Sequence, residues 1–409
     1  MINFKKLAAL GLAGVMGVSV LTGCGAGAKS NSSTETTTAG TETTTSGTET
    51  TTSVPETPPS VETKHHKISV GLYTDHGRSI DAINAYLDGI DDVIDVDFNT
   101  FVLSTYDENA NLTAVQNEIS AGAEGIIMTA DMGTEAILKE CASANVYVAG
   151  FLNDYNMSFF TAKEAVFGNE YFLGSVVDGP LDNTGYAEAV AADVIANGYK
   201  HVGIATFPVW AYPLQQDMAN AFIAKIDEYN KTAAEKIEVY DIAEVDFGTG
   251  LPATYFTDHP DMDCLFSVAA GASLVYPKMV SDNRTNIALY TTGFEATEDV
   301  ENFRSSGNGT FKAIACSAPE AIVYPICLLI DKLNGTTYSD LPAEKERVDC
   351  AAYQIISDEE MEQMKTTLYY TADYKDSAIT GEDILNMCAS YNPKATYAEL
   401  KAKLLDLGI

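Results

Sequence analysis

The fold is decided by residues 112–152, which read LTAVQNEISAGAEGIIMTADMGTEAILKECASANVYVAGFL. In 112–121 the apolar residues recur at helical spacing and lie on one face. Residues 125–129 form a short, continuous apolar run, as in a strand buried on both faces. A second helical stretch, 134–144, and a second apolar run, 146–152, follow directly. Strands separated by helices of roughly ten to fifteen residues predict right-handed βαβ units and a parallel sheet.

The same alternation extends along most of the chain. Further strands are predicted at 68–74, 96–103, 201–206, 236–240, 264–268, 287–292 and 311–316. Further helices are predicted at 80–89, 185–197, 214–229, 272–280 and 319–333. So many strands exceed what one twisted sheet of this type comfortably holds. The sequence therefore predicts an α/β protein of two doubly wound parallel-sheet lobes, in which a ligand binds beyond the carboxyl ends of the strands.

Composition limits the classes of partner. The chain has 409 residues, 46% of them hydrophobic, which is enough to bury large cores. Asp and Glu number 58 against 24 Lys and Arg, so the net charge is −34. Nucleic acid and anionic lipid surfaces need a basic footprint, and neither is a predicted partner. Because arginine is the usual clamp for carboxylate and phosphate, and only four arginines occur, a highly charged anionic ligand is disfavoured.

The first 23 residues have the pattern of an export signal peptide. Lys5 and Lys6 precede an uncharged apolar stretch, 7–20, which is shorter than the ~20 residues that a membrane-spanning helix needs. The next four residues, LTGC at 21–24, resemble the lipobox of bacterial lipoproteins. The resemblance implies that Cys24 is acylated and anchors the chain to the extracytoplasmic face of the cell membrane. The alternative is an ordinary signal peptide followed by an incidental cysteine.

Residues 24–67 have almost no large apolar side chains. The unit TETTT recurs at 34–38, 41–45 and 48–52. Such a composition cannot bury enough apolar surface to offset the entropy of ordering. We therefore expect 24–67 to be a disordered stalk that holds the following domain away from the membrane.

Five segments in a fixed order resemble one protein family. They are DENANLTAVQNEISAGAEGIIM at 107–128, ANVYVAG at 144–150, HPD at 259–261, TGFE at 292–295 and the helix 319–335. Their order and spacing are similar to the type 1 periplasmic-binding-protein fold, and within it to the sugar-binding group of ABC-transporter substrate-binding lipoproteins. The likeness covers about 68–356. Repressors of this fold carry an N-terminal DNA-binding helix-turn-helix where this chain has a signal and a stalk, so a repressor is excluded.

The resemblance implies two lobes joined by a hinge of three crossovers, with the ligand in the cleft between them. The first lobe would comprise 68–181 and 318–345, and the second 182–317 and 346–356, with crossovers near 181/182, 317/318 and 344–347. Residues 155–173 look like an insertion. Residues 357–409 exceed the family minimum and are expected to be a helical extension packed on the outside.

Polar residues that follow the predicted strands are candidate ligand contacts. Asp75, His76 and Arg78 follow the first strand, and the alternative for Asp75 is that it caps the next helix. Asn153 and Asp154 follow the strand 146–152, where the family commonly has Asp-Arg and this chain lacks the Arg.

Three further candidates rest on the resemblance alone. Gln216 lies near a helical position where the family often has Arg, Glu295 stands where it often has Asp, and Ser317 falls near a frequent Gln. Ala269 falls where the family often has Asn, so that contact is lost. These departures leave the specific sugar open.

The segment FPVWAY at 207–212 follows another strand end and carries three aromatic residues. Phe207 and Trp210, the only tryptophan, are candidates to stack on the apolar face of a sugar ring. The alternative is a loop that its own aromatic side chains anchor to the protein.

The sequence contains no nucleophile elbow, phosphate-binding loop, zinc-protease motif or Cys-x-x-Cys pair, so we expect no enzyme, no cofactor and no metal site. Six cysteines remain after Cys24, and we expect mostly free thiols, although export permits disulfides. We predict a monomeric receptor that captures a small polar ligand, first a sugar, and delivers it to an ABC-transporter permease. The alternatives are a sensory ectodomain, a receptor for a nucleoside-like ligand and a hydrolase on the same scaffold.

Overall fold

The computed structural model describes residues 64–104, 107–153, 155, 163–177, 179, 184–210, 212–293, 300–304 and 309–409. Contacts divide the chain into the units Met1–Thr57 and Pro58–Ile409, and all of the described residues belong to the second. The predicted signal peptide, Cys24 and most of the predicted stalk lie outside the described residues, as do Asp154 and Glu295. Within the described ranges, no helix is both long and apolar enough to cross a bilayer.

The first lobe is built on a six-stranded sheet in which every pair of neighbours is parallel. Its strands are β1 His66–Leu72, β2 Val96–Val102, β3 Gly125–Met128, β4 Tyr147–Phe151, β5 Phe172–Val176 and β12 Arg347–Val348. They pair in the order β12-β5-β4-β3-β1-β2. Its helices are α1 Arg78–Ile94, α2 Glu108–Ser120, α3 Thr134–Ala144, α4 Lys163–Phe167 and α9 Val323–Leu333, which follows a 3-10 turn, Pro319–Ile322. All four residues of β3 are buried, as its continuous apolar run predicts.

The second lobe is built on a seven-stranded sheet. Its strands are β6 His201–Thr206, β7 Glu238–Val239, β8 Ala243–Glu244, β9 Cys264–Ser267, β10 Ala288–Thr292, β11 Phe311–Ser317 and β13 Ala352–Ile355. They pair in the order β13-β11-β10-β9-β6-β7, and β8 also pairs with β6. Its helices are α5 Gly185–Asn197, α6 Pro213–Asn230, α7 Tyr255–Asp258 and α8 Tyr276–Ser281, which follows a π-helical turn, Gly271–Val275. The predicted two-lobe α/β architecture is confirmed, with one departure: β13 runs antiparallel to β11.

The last crossover between the sheets comes later in the chain than the sequence indicates. The family resemblance implies that 346–356 belongs to the second lobe, but Arg347 and Val348 pair with Ser175 and Val176 of the first sheet. The chain therefore changes sheet between Val348 and Ala352. A strand of two residues carries no period in its sequence, so only its pairing with β5 shows where it belongs.

The stretch 155–173, expected to be an insertion, contains α4 and the first residues of β5, a regular strand of the first sheet. Phe172 is buried and packs edge-on against the rings of Tyr155 and Phe167, with centroids 5.1 Å apart in both pairs. These aromatic contacts make the end of the stretch part of the core of the first lobe. The two residues before Ile68 are likewise not stalk, because β1 begins at His66.

Residues 357–409 form a series of short helices, of which the first packs on β13 of the second lobe and the later ones pack on the first lobe. They are α10 Asp358–Met364, α11 Leu368–Thr371, a 3-10 turn Tyr374–Asp376, α12 Gly381–Met387 and α13 Tyr397–Leu405. Helices α11 and α12 contact α1, and α12 and α13 contact α9. Capping boxes at Ser357, Thr380 and Thr396 begin the three longer helices. Local sequence thus sets where these helices begin, and their buried apolar side chains pack into the same hydrophobic core as those of the first lobe.

Candidate functional site

Exposed apolar side chains gather at the carboxyl ends of the strands in both lobes. Tyr73 and Val102 follow or end β1 and β2 and are 39% and 49% exposed, and Val209 and Trp210 follow β6 and are 55% and 43% exposed. Ligands of doubly wound sheets bind at this edge. The edge is therefore the candidate ligand site, with one part contributed by each lobe.

Asp75 and His76 form an exposed pair after β1. His76 Nδ1 lies 2.7 Å from Asp75 Oδ1, and this hydrogen bond lowers the pKa of the Asp75 carboxyl. Helix α1 begins after Gly77, a residue with φ of 107° and no side chain to cap it. The alternative role of Asp75 as the helix cap is therefore wrong, and its carboxylate faces solvent beside the imidazole.

Arg78 contacts the C-terminal segment. Its guanidinium donates to the carbonyl oxygen of Tyr370 and lies 5.2 Å from the centre of the Tyr370 ring. The arginine at the start of α1 is therefore held by α11, and Asp75 and His76 are the more open members of this group.

Asn153 is almost completely buried in the turn after β4. Its Oδ1 accepts from the backbone N–H of Tyr155 at 3.0 Å, and its carbonyl oxygen accepts from Ser175 Oγ. Leu152 and Tyr155 on either side have positive φ, 53° and 50°, a conformation that side-chain-bearing residues seldom adopt. The turn follows the carboxyl end of β4, so it lies at the candidate edge.

The aromatic residues after β6 form a cluster with a fourth ring that sequence reasoning missed. Phe247 stacks on Phe207 with centroids 4.4 Å apart and lies 6.4 Å from Trp210 and 5.9 Å from Tyr212. The cluster anchors one side of the Trp210 ring and leaves it 43% exposed. The anchoring interpretation therefore describes part of this loop, and stacking on a ligand stays a prediction.

Two polar residues hold this aromatic cluster in place. Gln215 is buried on α6, and its Oε1 accepts from the backbone N–H of Phe207 at 2.7 Å. Asp246 precedes Phe247, and its carboxylate accepts from the backbone N–H groups of Gly248 and Thr249 at 3.0 and 2.8 Å, which lowers its pKa. The signal available in the sequence was the Asp-x-Gly-Thr-Gly turn at 246–250.

Gln216 and Ser317 lie in different surroundings from these residues. Gln216 donates from its side-chain amide to Asn220 Oδ1 at 3.0 Å along α6. Ser317 ends β11, is buried at 9% exposure, and accepts from the backbone N–H of Gly179 at 3.0 Å. Ser317 therefore joins two of the crossovers between the lobes.

The three crossovers lie side by side. The Cys350 thiol donates to the carbonyl oxygen of Val177 at 3.3 Å. A side chain at Gly179 would bring its Cβ within 2.8 Å of the Cys350 carbonyl oxygen. The chain at this point therefore has room only for glycine, and Val177, Gly179, Ser317 and Cys350 pack together in the hinge.

An open cavity of about 1060 Å³ lies elsewhere, at the outer edge of the first sheet between α4, 343–349 and α13. The candidate ligand residues of the sequence do not line it. Its charged residues are balanced in sign: Lys163, Lys345, Arg347 and Lys401 against Glu164, Glu344, Glu346 and Asp349. It therefore has no evident preference for a charged ligand.

Among the described residues, no group of three His, Cys, Asp or Glu is arranged to hold a metal ion. The six cysteines after Cys24 are free and buried. Burial raises the pKa of the Cys141 thiol to about 12. Buried thiols of this kind are unreactive at neutral pH.

No protein-family model matches this chain, and no curated protein matches it. Solved structures do. An ABC-transporter solute-binding protein from Burkholderia graminis in complex with D-arabinose is 12% identical, with a TM-score of 0.54, over 73% of this chain and 98% of that one. A carbohydrate transporter from Acidothermus cellulolyticus in complex with myo-inositol is 15% identical, with a TM-score of 0.52, over 76% and 99%. A solute-binding protein from Agrobacterium vitis with bound D-fucose is 10% identical, with a TM-score of 0.52, over 71% and 95%.

These likenesses define the class of fold. The two lobes have the fold of type 1 periplasmic-binding proteins, as the sequence predicted.

Proposed function

We propose that this protein is a lipid-anchored extracytoplasmic receptor that captures a neutral, hydroxyl-rich ligand, a sugar or a cyclic polyol, between its two lobes and delivers it to an ABC-transporter permease. The observation that carries the proposal is the partly exposed ring of Trp210, supported by Phe207 and Phe247 at the carboxyl edge of the second sheet. An exposed, rigidly supported aromatic face suits the C–H face of a pyranose or an inositol ring. The similar structures named above bind D-arabinose, myo-inositol and D-fucose.

The arginines favour a ligand without a negative charge. Each has a partner within the protein: Arg78 with Tyr370, Arg284 with the carbonyl of Phe256, Arg304 with Asp193 and Arg347 with Asp349. A carboxylate or phosphate ligand would have to displace one of these contacts. A neutral ligand needs only partners for its hydroxyl groups, and we expect Asp75, His76 and the turn at Asn153 to supply them.

Capture requires no covalent chemistry. Closure of the lobes removes the ligand from water, so each of its hydroxyl groups must find a hydrogen-bond partner. The Asp75 carboxylate accepts from hydroxyl groups, and Trp210 covers an apolar face from the other lobe. Binding from both lobes favours the closed form, which is the form that a permease would distinguish from the empty receptor.

The test of ligand class is a thermal-shift screen followed by calorimetry on the full chain carrying Cys24→Ser. The panel comprises D-arabinose, D-fucose, myo-inositol, other sugars, nucleosides and amino acids. A ligand at ~100 times its Kd stabilises the folded state by about 2.7 kcal/mol. We expect a sugar or polyol to raise the Tm, Trp210→Ala to remove the shift, and Val280→Ala, a change at an exposed apolar residue on α8, to leave it. A shift with amino acids or nucleosides alone would reject the proposed ligand class.

The anchor is tested separately in cells of the natural host. We expect the chain to be recovered with the membrane fraction and to incorporate labelled fatty acid. The variant Cys24→Ala should lose both properties. Fatty-acid labelling that survives this substitution would contradict acylation at Cys24 without bearing on the ligand.

A further inference from the structure

The C-terminal segment 357–409 starts from one lobe, crosses the other and returns to the hinge. Helix α10 packs on β13 of the second sheet. At its other end, the carbonyl oxygens of Leu404 and Ile409 accept from the backbone N–H groups of Ala351 and Gln354 at 3.0 and 3.2 Å. Ala351 belongs to the third crossover. Both ends of the segment therefore lie beside the third crossover.

Between these ends, carboxylates of the first lobe hold the segment by its backbone. Asp340 accepts from the N–H groups of Tyr397 and Ala398 at 2.7 and 3.0 Å. Asp331, which is buried, accepts from Ala389 and Ser390 at 3.0 and 2.7 Å. Glu320, also buried, accepts from Ala378 at 3.0 Å. The main-chain N–H groups that donate to these carboxylates fix the path of the segment at five residues.

The surfaces of α1 and of the C-terminal segment fit each other closely at two glycines. Gly89 of α1 lies under the ring of Tyr374, and a Cβ at this position would overlap that ring. At Gly381, a Cβ would come within 2.7 Å of Val93. Glycines at both contacts let the backbone of one element approach the side chains of the other, so the segment packs closely against α1 at these two points.

The segment also reaches both the ligand edge and the second lobe. Tyr370 holds Arg78 at the start of α1, next to Asp75 and His76. The neighbouring Tyr369 packs edge-on against Tyr353 of β13, with ring centroids 6.4 Å apart. Two adjacent tyrosines of α11 thus contact different lobes.

We propose that 357–409, which we call the strap, restricts the movement of the two lobes by tying the third crossover to the first lobe. Hinge motion is absorbed by backbone rotations in the connecting strands. The strap bonds to Ala351 and Gln354 and is itself docked on α1 and α9, so the third crossover cannot rotate freely. Opening is then confined to the other two crossovers, and the strap limits its extent. Only the effect of this restraint on ligand affinity rests on the proposed function.

The test measures the distance between the two lobes in the absence of ligand. Spin labels at Asn109→Cys on α2 and Asp217→Cys on α6 report the separation of the two carboxyl edges in the full chain carrying Cys24→Ser. Both positions are exposed, and the six native thiols are buried, so labelling is selective. Pulsed electron spin resonance gives the distribution of the distance.

Two variants loosen the strap: Asp340→Ala, and deletion of 405–409. We expect each to lengthen the mean distance by several ångströms and to broaden the distribution. The matched control is Asp263→Ala, which removes a carboxylate that also accepts from two backbone N–H groups, those of Lys200 and His201, at 2.9 and 3.0 Å. The control should leave the distribution unchanged. Strap variants that keep native circular dichroism and the distribution of the parent chain would overturn the proposal.

Hydrogen exchange on the unmodified protein tests the same idea without a substitution. The amides of Ala351 and Gln354 should exchange as slowly as those of Ala389, Ser390 and Tyr397, in one cooperative unit. Exchange of Ala351 and Gln354 at the rate of an unprotected chain would overturn the strap. Neither measurement uses ligand, so failure of the sugar screen and failure of the strap are separate results.

Discussion

The backbone N–H of Gly179 donates a 3.0 Å hydrogen bond to Ser317 Oγ, across 138 residues of sequence and between two crossovers of the hinge. Both residues are buried, and the Cys350 thiol of the third crossover bonds beside them to Val177. Resemblance to sugar receptors placed Ser317 near a ligand contact. The bond to Gly179 gives it a role in holding the hinge strands together.

Replacing Ser317 should therefore weaken the hinge. The variant Ser317→Ala leaves a buried N–H without its acceptor, which typically costs about 1–3 kcal/mol. Urea unfolding of the variant should show this loss. The control is Ser143→Ala, which removes an exposed hydroxyl that donates to Lys139 within α3, and whose effect should be near zero. Equal stability of the two variants would contradict the role of Ser317.

Trp210 provides a direct optical test of the ligand site because it is the only tryptophan. We expect its emission to change as a sugar or polyol saturates the protein. Phe247→Ala removes the ring behind Phe207 and Trp210 and should weaken binding about tenfold, the effect of roughly 1.4 kcal/mol. Titrations followed by fluorescence and by calorimetry check both expectations. Binding detected by heat with unchanged emission would place the ligand away from this cluster.

Glu320 should make stability depend on pH. Burial raises the pKa of its carboxyl, so the folded state holds the proton more tightly than the unfolded state. Its contribution to stability is therefore fully present below the unfolded value of 4.5 and declines as the pH rises through the raised folded value. Tyr86 and Tyr353 lie near it, and burial raises the pKa of both phenols, so they stay neutral over this range.

The variant Glu320→Gln should lose this decline. Urea unfolding between about pH 4.5 and pH 8 should show the stability of the parent chain falling relative to the variant as the pH increases. Asp331 is present in both proteins, so its own raised pKa cancels in the comparison. The exposed change Glu382→Gln serves as the control and should track the parent. A constant difference across the range would show that Glu320 titrates alike in both states.

The six cysteines should be inert until the protein unfolds. All are buried and free, and the thiol of Cys141, with a pKa of about 12, is ionised at pH 8 in only roughly one molecule in ten thousand. We expect an aromatic disulfide reagent to modify essentially none of them in the native chain carrying Cys24→Ser, and all six in urea. Fewer than six reactive thiols in urea would reveal a disulfide.

Elements with a strong local signal were predictable from the sequence. The strands β6, β9 and β11 lie within one residue of their expected bounds because each is a short, mainly apolar run whose residues are almost all buried. Helix α1 was expected to stop at Gly89 and instead extends to Ile94. Glycine there does not end the helix; it makes room for Tyr374, which comes from 285 residues further along the chain.

The site was predictable at the level of its edge but not of its contacts. The positions of the predicted strands in the sequence indicate that Asp75, Asn153 and Trp210 follow strand ends. Nothing near Arg78 in the sequence indicates that Tyr370 holds it, and nothing near Phe207 indicates Phe247. Such partners are set by packing between distant elements, which local propensity and periodicity do not encode.

Increasing ionic strength should stabilise the folded state of this protein. The buried carboxylates of Glu320 and Asp331 accept from backbone N–H groups of the strap, and dissolved ions screen such buried bonds far less than they screen pairs of exposed charges. The excess of 34 negative charges repels itself, and that repulsion is screened as salt is added. Because added salt weakens the repulsion more than it weakens these hydrogen bonds, we expect the free energy of unfolding to rise with salt concentration.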